Sequence, residues 1–493
     1  MFTNQYIVTL RGAEPRCDLP DLASFDFADL RIRAHAKLKV TIAATESTQV
    51  ALLGYIIDPR RPDDSDETIV QRLTATSASP EQLHENIECT TGRYVLLFKT
   101  ASAFIVTGDA LHFRHIYHAV PDHEFAMTSS PRLFLSFFGY ELQLSDAKKA
   151  LLQLPEYLDH EHHWYGDESM DDRLLKLLPN HYLDLGTREV RRVQFSPLER
   201  ADDEAKVIDK ASAILRDTYA ALARRYRLIQ PLTAGWDSRL LLAASRDLSG
   251  RIDYFVFDRS SGRNDDVRVP TALSRRLGLR FKVVEPVPPS EEFLELYKAE
   301  HVMPRILPKT ANIYYHSLQR YDANVVNVNG NGGEVVRCRY GWSRRPPSLD
   351  LVCECTPYGT RSPYVYEVMK RWYAEALACE NELGLRVLDL FLWEQRMGHW
   401  GAQYPFEQDI VVEEMSPFNN RGLLLTLLSV DGKERKAPPY RFYRRLIADL
   451  WPEAMSEPVN PGEAWFKAMV YGNATTRYWM SKADRRGLLR FVR

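Results

Sequence analysis

Long apolar runs are missing from this 493-residue chain. None reaches the roughly 18–20 residues that a membrane-spanning helix needs, so no membrane partner is expected. Neither sign of charge dominates: 64 Lys and Arg face 66 Asp and Glu, for a formal net charge of −2. Without a basic field, no nucleic-acid partner is expected. Cysteine is sparse, with six residues at positions 17, 89, 338, 353, 355 and 379. Their spacing fits no zinc pattern, since the "CEC" of 353–355 has one intervening residue and no second pair nearby. The thiols read as reduced and structural, in a cytoplasmic protein. The stretch "MFTNQYIVTLRGAEPRCDLP" has no basic region followed by an apolar one, so no signal peptide is expected. Low-complexity tracts, internal repeats and long linkers are absent.

What remains is an ordinary globular balance, 45% hydrophobic and 26% charged, with length for two or three cores. In the front part, "NQYIVTL", "AKLKVTIAA", "VALLGYIID", "GRYVLLFKT", "AFIVTGD" and "EFAMTSS" are short β-branched or alternating runs between turn residues. Helical pieces such as "DETIVQRLTA" and "SDAKKALLQL" intervene, which predicts a layered α+β domain. The texture changes around 196–202, predicting units 1–198 and 199–493. From 203 onward helices and strands alternate: "RLIQPLTAG", "RIDYFVFD", "RFKVVEP" and "NVVNVNGNGG" are strands with amphipathic segments between them. That pattern predicts an α/β fold with a doubly wound parallel sheet. After about 365 the chain turns helical.

The stretch "PLTAGWDSRL", 231–240, joins a strand-like run to a helix-like run through a knot of small and polar residues. Ligands of doubly wound sheets bind beyond the carboxyl ends of the strands, and a helix N-terminus there favours an anion. Ala234 and Gly235 allow close backbone approach, and Thr233 and Ser238 add hydroxyls. Asp237 repels a phosphate unless a hard cation sits between them, and Mg²⁺ is the natural mediator. The alternative is that Asp237 or Ser238 simply caps the following helix, and from the knot itself both stay open. Neither G-x-x-x-x-G-K-[ST] nor G-x-G-x-x-G is present here.

"LTAGWDSRLLLAA" resembles the Ser-Gly-Gly-x-Asp-Ser pyrophosphate loop of N-type ATP pyrophosphatases, in particular the asparagine synthetase-like branch. Thr233 stands for the Ser, Ala234 and Gly235 for the two Gly, and Asp237 and Ser238 for the Asp-Ser. Three more stretches match in the same order. "FDRSSGRNDDVRVPTALSRRLGLRFKVVE" is similar to the family's second strand, acidic pair and helix. This match implies adenine contacts at Val256 and Phe257, with Asp265 or Asp266 capping the helix. "VNGNGGEVV", 328–336, resembles "GEGSDE": Gly330 and Gly332 join the nucleotide-binding set and Glu334 becomes the second Mg²⁺-binding acid. A Gly-rich hairpin with a surface Glu is the weaker alternative. Asn331 falls where the family carries a Glu or Tyr that activates the attacking nitrogen, and Asn cannot take a proton. "VVEEMSPFNNRGLLLTLLSV" looks like "E.R.PF.d..l", which makes Glu413 a candidate base. The family's late lysine, which steadies the acyl-adenylate transition state, has no clear counterpart, leaving Lys467 or Lys433 for that role.

The front half is similar to the class II amidotransferase layout, with Gly92, Arg93, Asp109, Arg114 and Tyr117 in register. Glutaminase chemistry there needs a terminal cysteine. Phe2 occupies that place and Cys17 lies further in, so the expectation is a glutaminase-like domain without glutaminase activity, as in β-lactam synthetases and lasso-peptide cyclases. The resemblance implies an ATP- and Mg²⁺-dependent, AMP-forming ligase acting on a small-molecule or peptide substrate with a carboxylate and an amine. A homodimer is compatible with it. The alternatives are a pseudoenzyme that keeps the fold as a nucleotide-binding scaffold, or nucleotide or tRNA modification, which the neutral charge disfavours. Two segments stand apart. "DHEHHWYGDE", 159–168, has loop-like histidine spacing and reads as structural or surface. "SRRPPSLDLVCECTPYGTRSPY", 343–364, reads as a loop over the site that sets acceptor specificity.

Overall fold

Period-two alternation in the front half builds two antiparallel sheets. Their strands are β1 (Tyr6–Leu10), β2 (Leu22–Phe27), β3 (Leu30–His35), β4 (Val40–Ala44), β5 (Gln49–Ile57), β6 (Thr91–Lys99), β7 (Phe104–Gly108), β8 (Tyr117–Ala119), β9 (Ala126–Thr128), β10 (Leu174–Lys176), β11 (His181–Asp184) and β12 (Glu189–Arg192). One sheet has the order β10-β8-β9-β1-β3-β2 and the other β12-β11-β7-β6-β5-β4. The computed structural model describes residues 2–159, 163–258, 264–285, 287–302, 324–342, 346–437, 439–461, 475, 476 and 479.

Successive side chains of a strand face opposite ways, and both faces here are apolar. Tyr6 and Val8 of β1 meet Ala51, Leu53, Val95 and Leu97 in a core between the sheets. The intervening Ile7 faces outward with Tyr117 and Leu174, under Leu133 and Phe137 of the helix Pro131–Phe138. Leu52, Ile56 and Leu96 face the other way, under Ile69, Leu73 and Leu83 of the helices Asp66–Thr76 and Pro80–Ile87. The result is four layers, helix on sheet on sheet on helix. Each fully buried aliphatic side chain contributes roughly 1.5–3 kcal/mol.

The second part carries a parallel sheet of β13 (Arg227–Pro231), β14 (Asp253–Phe257), β15 (Phe281–Val284), β16 (Val325–Val328) and β17 (Glu413–Met415). Its order is β15-β14-β13-β16-β17. The chain winds outward from β13 through the helices Trp236–Ala244 and Asp265–Leu277, then returns to β13's other side with β16. β13 and β16 therefore flank a topological switch point, where such sheets open a crevice. The C-terminal helices Pro363–Leu383, Arg421–Leu428 and Arg441–Leu450 share one core with this sheet, and Phe391–Gly401 is wound as a π-helix.

One expectation is corrected here. Within 343–364, residues 343–345 lie outside the described residues, and the expected loop is interrupted by one short helix. Leu349–Cys353 is a helix capped by Ser348, and Val352, Cys353 and Cys355 are buried in the main core. All six cysteines are free thiols. Among the described residues no helix is long and apolar enough to cross a membrane.

Burial also sets a pH response. It holds the His84, His112 and His399 imidazoles down at about 3 and His118 at about 4, against an ordinary 6.5. These groups stay neutral in the folded chain while the unfolded chain takes up protons, so their stability contribution is present above about pH 6.5 and is lost as pH falls. Urea midpoints are expected to drop progressively from pH 7 toward pH 4, and His112→Gln is expected to flatten that slope.

Candidate nucleotide site at the sheet switch point

The two loops that follow β13 and β16 meet at this switch point. The helix Trp236–Ala244 starts at Gly235 with no side-chain cap. Neither Asp237 nor Ser238 caps it, so the first-turn N–H groups stay available to an anion. Thr233 and Ser238 spend their hydroxyls on the loop itself. The Thr233 N–H donates to Ser238 Oγ at 3.2 Å, the two hydroxyls lie 3.0 Å apart, and the Gly235 N–H donates to Thr233 Oγ1 at 3.1 Å. Ala234 is tied from both sides: its N–H donates to Asp266 Oδ1 at 3.1 Å and its carbonyl accepts from the Asn460 N–H at 3.0 Å. Arg239, fully buried, donates to the carbonyls of Ala454, Glu457 and Pro458 and so fastens 454–458 beside the loop.

Behind β16 the chain makes a glycine turn and a short 3₁₀ turn, Gly333–Arg337, rather than a hairpin. The glycines are there for space. A Cβ on Gly330 would lie 2.6 Å from Asp237 Cβ, and one on Gly333 would lie 2.6 Å from Asp237 Oδ1 and 2.9 Å from the Phe418 ring. Gly332 takes φ +95° and its added Cβ would strike Leu111 at 2.4 Å. Tyr443 fixes this turn by donating its hydroxyl to the Gly333 carbonyl at 3.0 Å. Gly333→Ala is expected to displace the Asp237 carboxylate at a cost of about 1–3 kcal/mol. A urea titration reads that cost.

The Asp237 and Glu334 side chains are each about 20% exposed and near enough for the Glu334 charge to act on Asp237, and each already faces cations. Arg337 donates to Asp237 Oδ2 at 2.8 Å, while Oδ1 is buried with no hydrogen-bond partner. Arg396 reaches Glu334 Oε2 at 3.4 Å and Arg339 lies 3.9 Å from Oε1. Burial raises the Asp237 carboxyl to about 6, opposed by Arg337 and reinforced by Glu334. Burial also works against ionising Glu334, but Arg396, Arg339 and Arg337 hold it below its ordinary value. The three arginines are missed by sequence motifs. The signal that was available is the "GGEVVRCR" spacing, which puts Arg337 one 3₁₀ turn beyond Glu334.

Val256 and Phe257 end β14, the strand beside β13, with Val256 buried and the Phe257 ring 5.3 Å from that of Phe255. The expected helix cap is corrected: Asn264, not Asp265 or Asp266, accepts from the Val267 N–H at 3.2 Å. Asp266 instead holds the loop at 233–238, through Ala234. Asn331 donates its amide to the Gly401 carbonyl at 2.7 Å, joining the glycine turn to the π-helix. Lys467 lies outside the described residues. Lys433 is exposed and stands over the Trp342 ring at 4.6 Å.

Glu413 is not brought to this site. It registers with Val326, which pairs with Leu228 near the start of β13, at the end of the sheet away from the loops. Arg93 donates to it at 2.6 Å, Arg114 at 3.2 Å and Asn4 at 3.3 Å. Its neighbour Glu414, unnoticed in the sequence, is buried beside β16. Its carboxyl accepts from Asn327 at 2.9 Å and from Asn329, and burial raises it to about 8. In the front half, Asp109 accepts from the N–H groups of Tyr94, Phe113 and Arg114 and from the Asn419 amide, so it shapes the turn. Phe2 is buried, and Cys17 is exposed, with its thiol 3.1 Å from the Ser136 carbonyl.

The donor set suits Mg²⁺. That ion is held by one or two carboxylates together with phosphate oxygens of its substrate rather than by an all-protein cage. Asp237 Oδ1 is an unsatisfied oxygen at this place, and among the described residues no cluster of three or more His, Cys, Asp or Glu is built for a metal.

No protein-family model and no curated protein matches the sequence. Solved structures that match weakly include the glutamine phosphoribosylpyrophosphate amidotransferase of B. subtilis complexed with ADP and GMP. It is 9% identical at a TM-score of 0.23, covering 68% of this chain and 71% of that one. The glutamine-dependent NAD⁺ synthetase of Acinetobacter baumannii, in complex with ADP, is 16% identical at a TM-score of 0.20 over 44% of this chain and 50% of that one. The allosteric regulatory enzyme of purine biosynthesis is 10% identical at a TM-score of 0.24 over 68% of this chain and 70% of that one. At these scores the likenesses carry no argument about activity.

Proposed function

We propose that the chain is an ATP-dependent ligase, asparagine synthetase-like in its chemistry. A substrate carboxylate oxygen attacks the α-phosphorus of ATP, the bond to the β-phosphate's bridging oxygen breaks, and pyrophosphate leaves. An amine nitrogen then attacks the acyl carbon, the acyl–phosphate bond breaks, AMP departs, and the nitrogen gives up its proton. The observation that carries this reading is the pairing of Asp237 and Glu334 at the switch point, ringed by Arg337, Arg339 and Arg396.

The residues divide the work. First-turn N–H groups of the helix Trp236–Ala244 receive the diphosphate, on a loop kept in shape by Thr233, Ser238 and Asp266. Gly235 admits the nucleotide close to the backbone, whereas Gly330 and Gly332 make room for Asp237 and Leu111 and Ala234 is held by Asp266 and Asn460; Val256 and Phe257 face the adenine. Arg337 and Arg396 stabilise the charge that develops on the leaving group. Asp237 and Glu334 would hold Mg²⁺, which supplies charge neutralisation when bound. Neither Glu413 nor Asn331 serves as the base. Cys17 is on the surface, so the nitrogen comes from free ammonia or from an amine of the substrate rather than from a glutaminase centre of this chain. The free thiols fit a cytoplasmic setting.

The test is Mg²⁺-dependent exchange of labelled pyrophosphate into ATP across a panel of carboxylates, followed by AMP release when amines are added. Exchange with at least one carboxylate supports the ligase. A second reading, a nucleotide-binding scaffold without turnover, is favoured by one observation: the guanidinium of Arg337 already occupies one oxygen of Asp237. Nucleotide binding with no exchange across the whole panel would select it.

A further inference from the structure

A separate cavity of about 80 Å³, room for several water molecules, lies where β8 and β10 face the helical segment after the π-helix. His115, Tyr117, Lys176, His301, His399 and Phe406 line it. Lys176 is only 2% exposed. Its ammonium stands 5.2 Å from the centre of the Tyr117 ring, and among the described residues it forms no ion pair. The two acids at the wall are committed elsewhere: Glu168 to Lys148 and Arg371, and Glu300 to the N–H and hydroxyl of Thr3.

The imidazoles are fixed in place yet have capacity left. The His115 ring stacks on Phe406 at 4.7 Å and meets the Tyr117 edge at 5.7 Å. At most one of its ring nitrogens has a partner, the Ala402 backbone, so the other is left for a guest. His301, held edge-on to Phe406 at 5.0 Å, donates Nδ1–H to the Tyr297 carbonyl at 2.7 Å. That bond puts the lone pair on Nε2, which is buried and has no partner. Tyr117 and Phe406 thus bring one cation, one uncommitted imidazole nitrogen and one hydrogen-bond acceptor to a single small space. Unsatisfied buried polar groups of this kind are costly until something fills them.

We propose that this cavity binds a small carboxylate that also bears an amino or hydroxyl group. The carboxylate pairs with the Lys176 ammonium and accepts from His115, and the ligand's N–H or O–H donates to His301 Nε2. Burial by itself pulls the Lys176 ammonium down to about 7, and the incoming carboxylate supplies the counter-charge the cavity lacks. The site shares no lining residue with the switch-point loops.

Calorimetry on the full chain without nucleotide tests it, using glycine, glycolate, acetate and inorganic phosphate as probes. Glycine or glycolate is expected to bind, with acetate about tenfold weaker for want of the bond to His301. Lys176→Met is expected to abolish binding of all three carboxylates. His301→Phe is expected to keep acetate binding and remove the tenfold preference, which keeps the test decisive if the lysine variant fails to fold. The proposal is overturned if no carboxylate binds, if phosphate binds as tightly as glycine, or if both variants bind as the wild type does.

Discussion

Asp237→Asn is expected to lower Mg²⁺-dependent pyrophosphate exchange by about 10²–10³-fold, the scale on which preorganised electrostatic groups act. The substitution keeps the shape of the side chain. That matters because Gly330 and Gly333 pack so closely on Asp237 that a larger group has no room. It removes the charge that faces Arg337 at 2.8 Å and leaves that guanidinium without its carboxylate. If Asp237 only holds Arg337 in place, exchange would fall by less than about tenfold. Glu334→Gln provides the companion measurement, since its carboxylate is held by different arginines, Arg396 and Arg339.

The largest loss of stability is expected from Arg93→Leu. Arg93 and Asp409 are 1% and 2% exposed and meet through two bonds, at 2.7 and 2.9 Å. Deleting one partner of a buried pair leaves the other charge uncompensated, at about 3–5 kcal/mol. Arg114, 3.3 Å from Asp409, offsets part of this. The urea midpoint is expected to fall accordingly, and the double variant Arg93→Leu/Asp409→Asn to recover part of the loss. A single-variant loss below about 1 kcal/mol, the value of an exposed pair, would show that these arginines do not tie the antiparallel sheets to β17.

The strands and most helices were legible because burial is written in the local period. Ile7 and Val8 face different cores, and the sequence alternates to suit. The loop at 233–238 was legible because small and polar residues between two apolar runs have few structural uses. The glycines at 330–333 were legible as a turn, though what they make room for, the Asp237 side chain, was not. Long-range partners stayed hidden. Glu413 invited a catalytic role, while the arginines that occupy it lie 320 and 299 residues away. β17 is three residues long with two glutamates, too short and too polar to announce itself as a strand. Arg239, Arg337 and Arg396 carry no motif. Their roles come from tertiary geometry, which places Arg239 under three carbonyls and the other two beside the paired acids.

The central claim is that the crevice between β13 and β16 receives a nucleotide's phosphates on an uncapped helix start and a pair of metal-ready acids. Calorimetric titration of the whole chain with ATP, in Mg²⁺ and again with the metal chelated, measures this directly. One nucleotide bound per chain, with affinity lost on chelation and in Asp237→Asn, is the result expected. No heat of binding in either condition, or equal affinity with and without the metal, contradicts it.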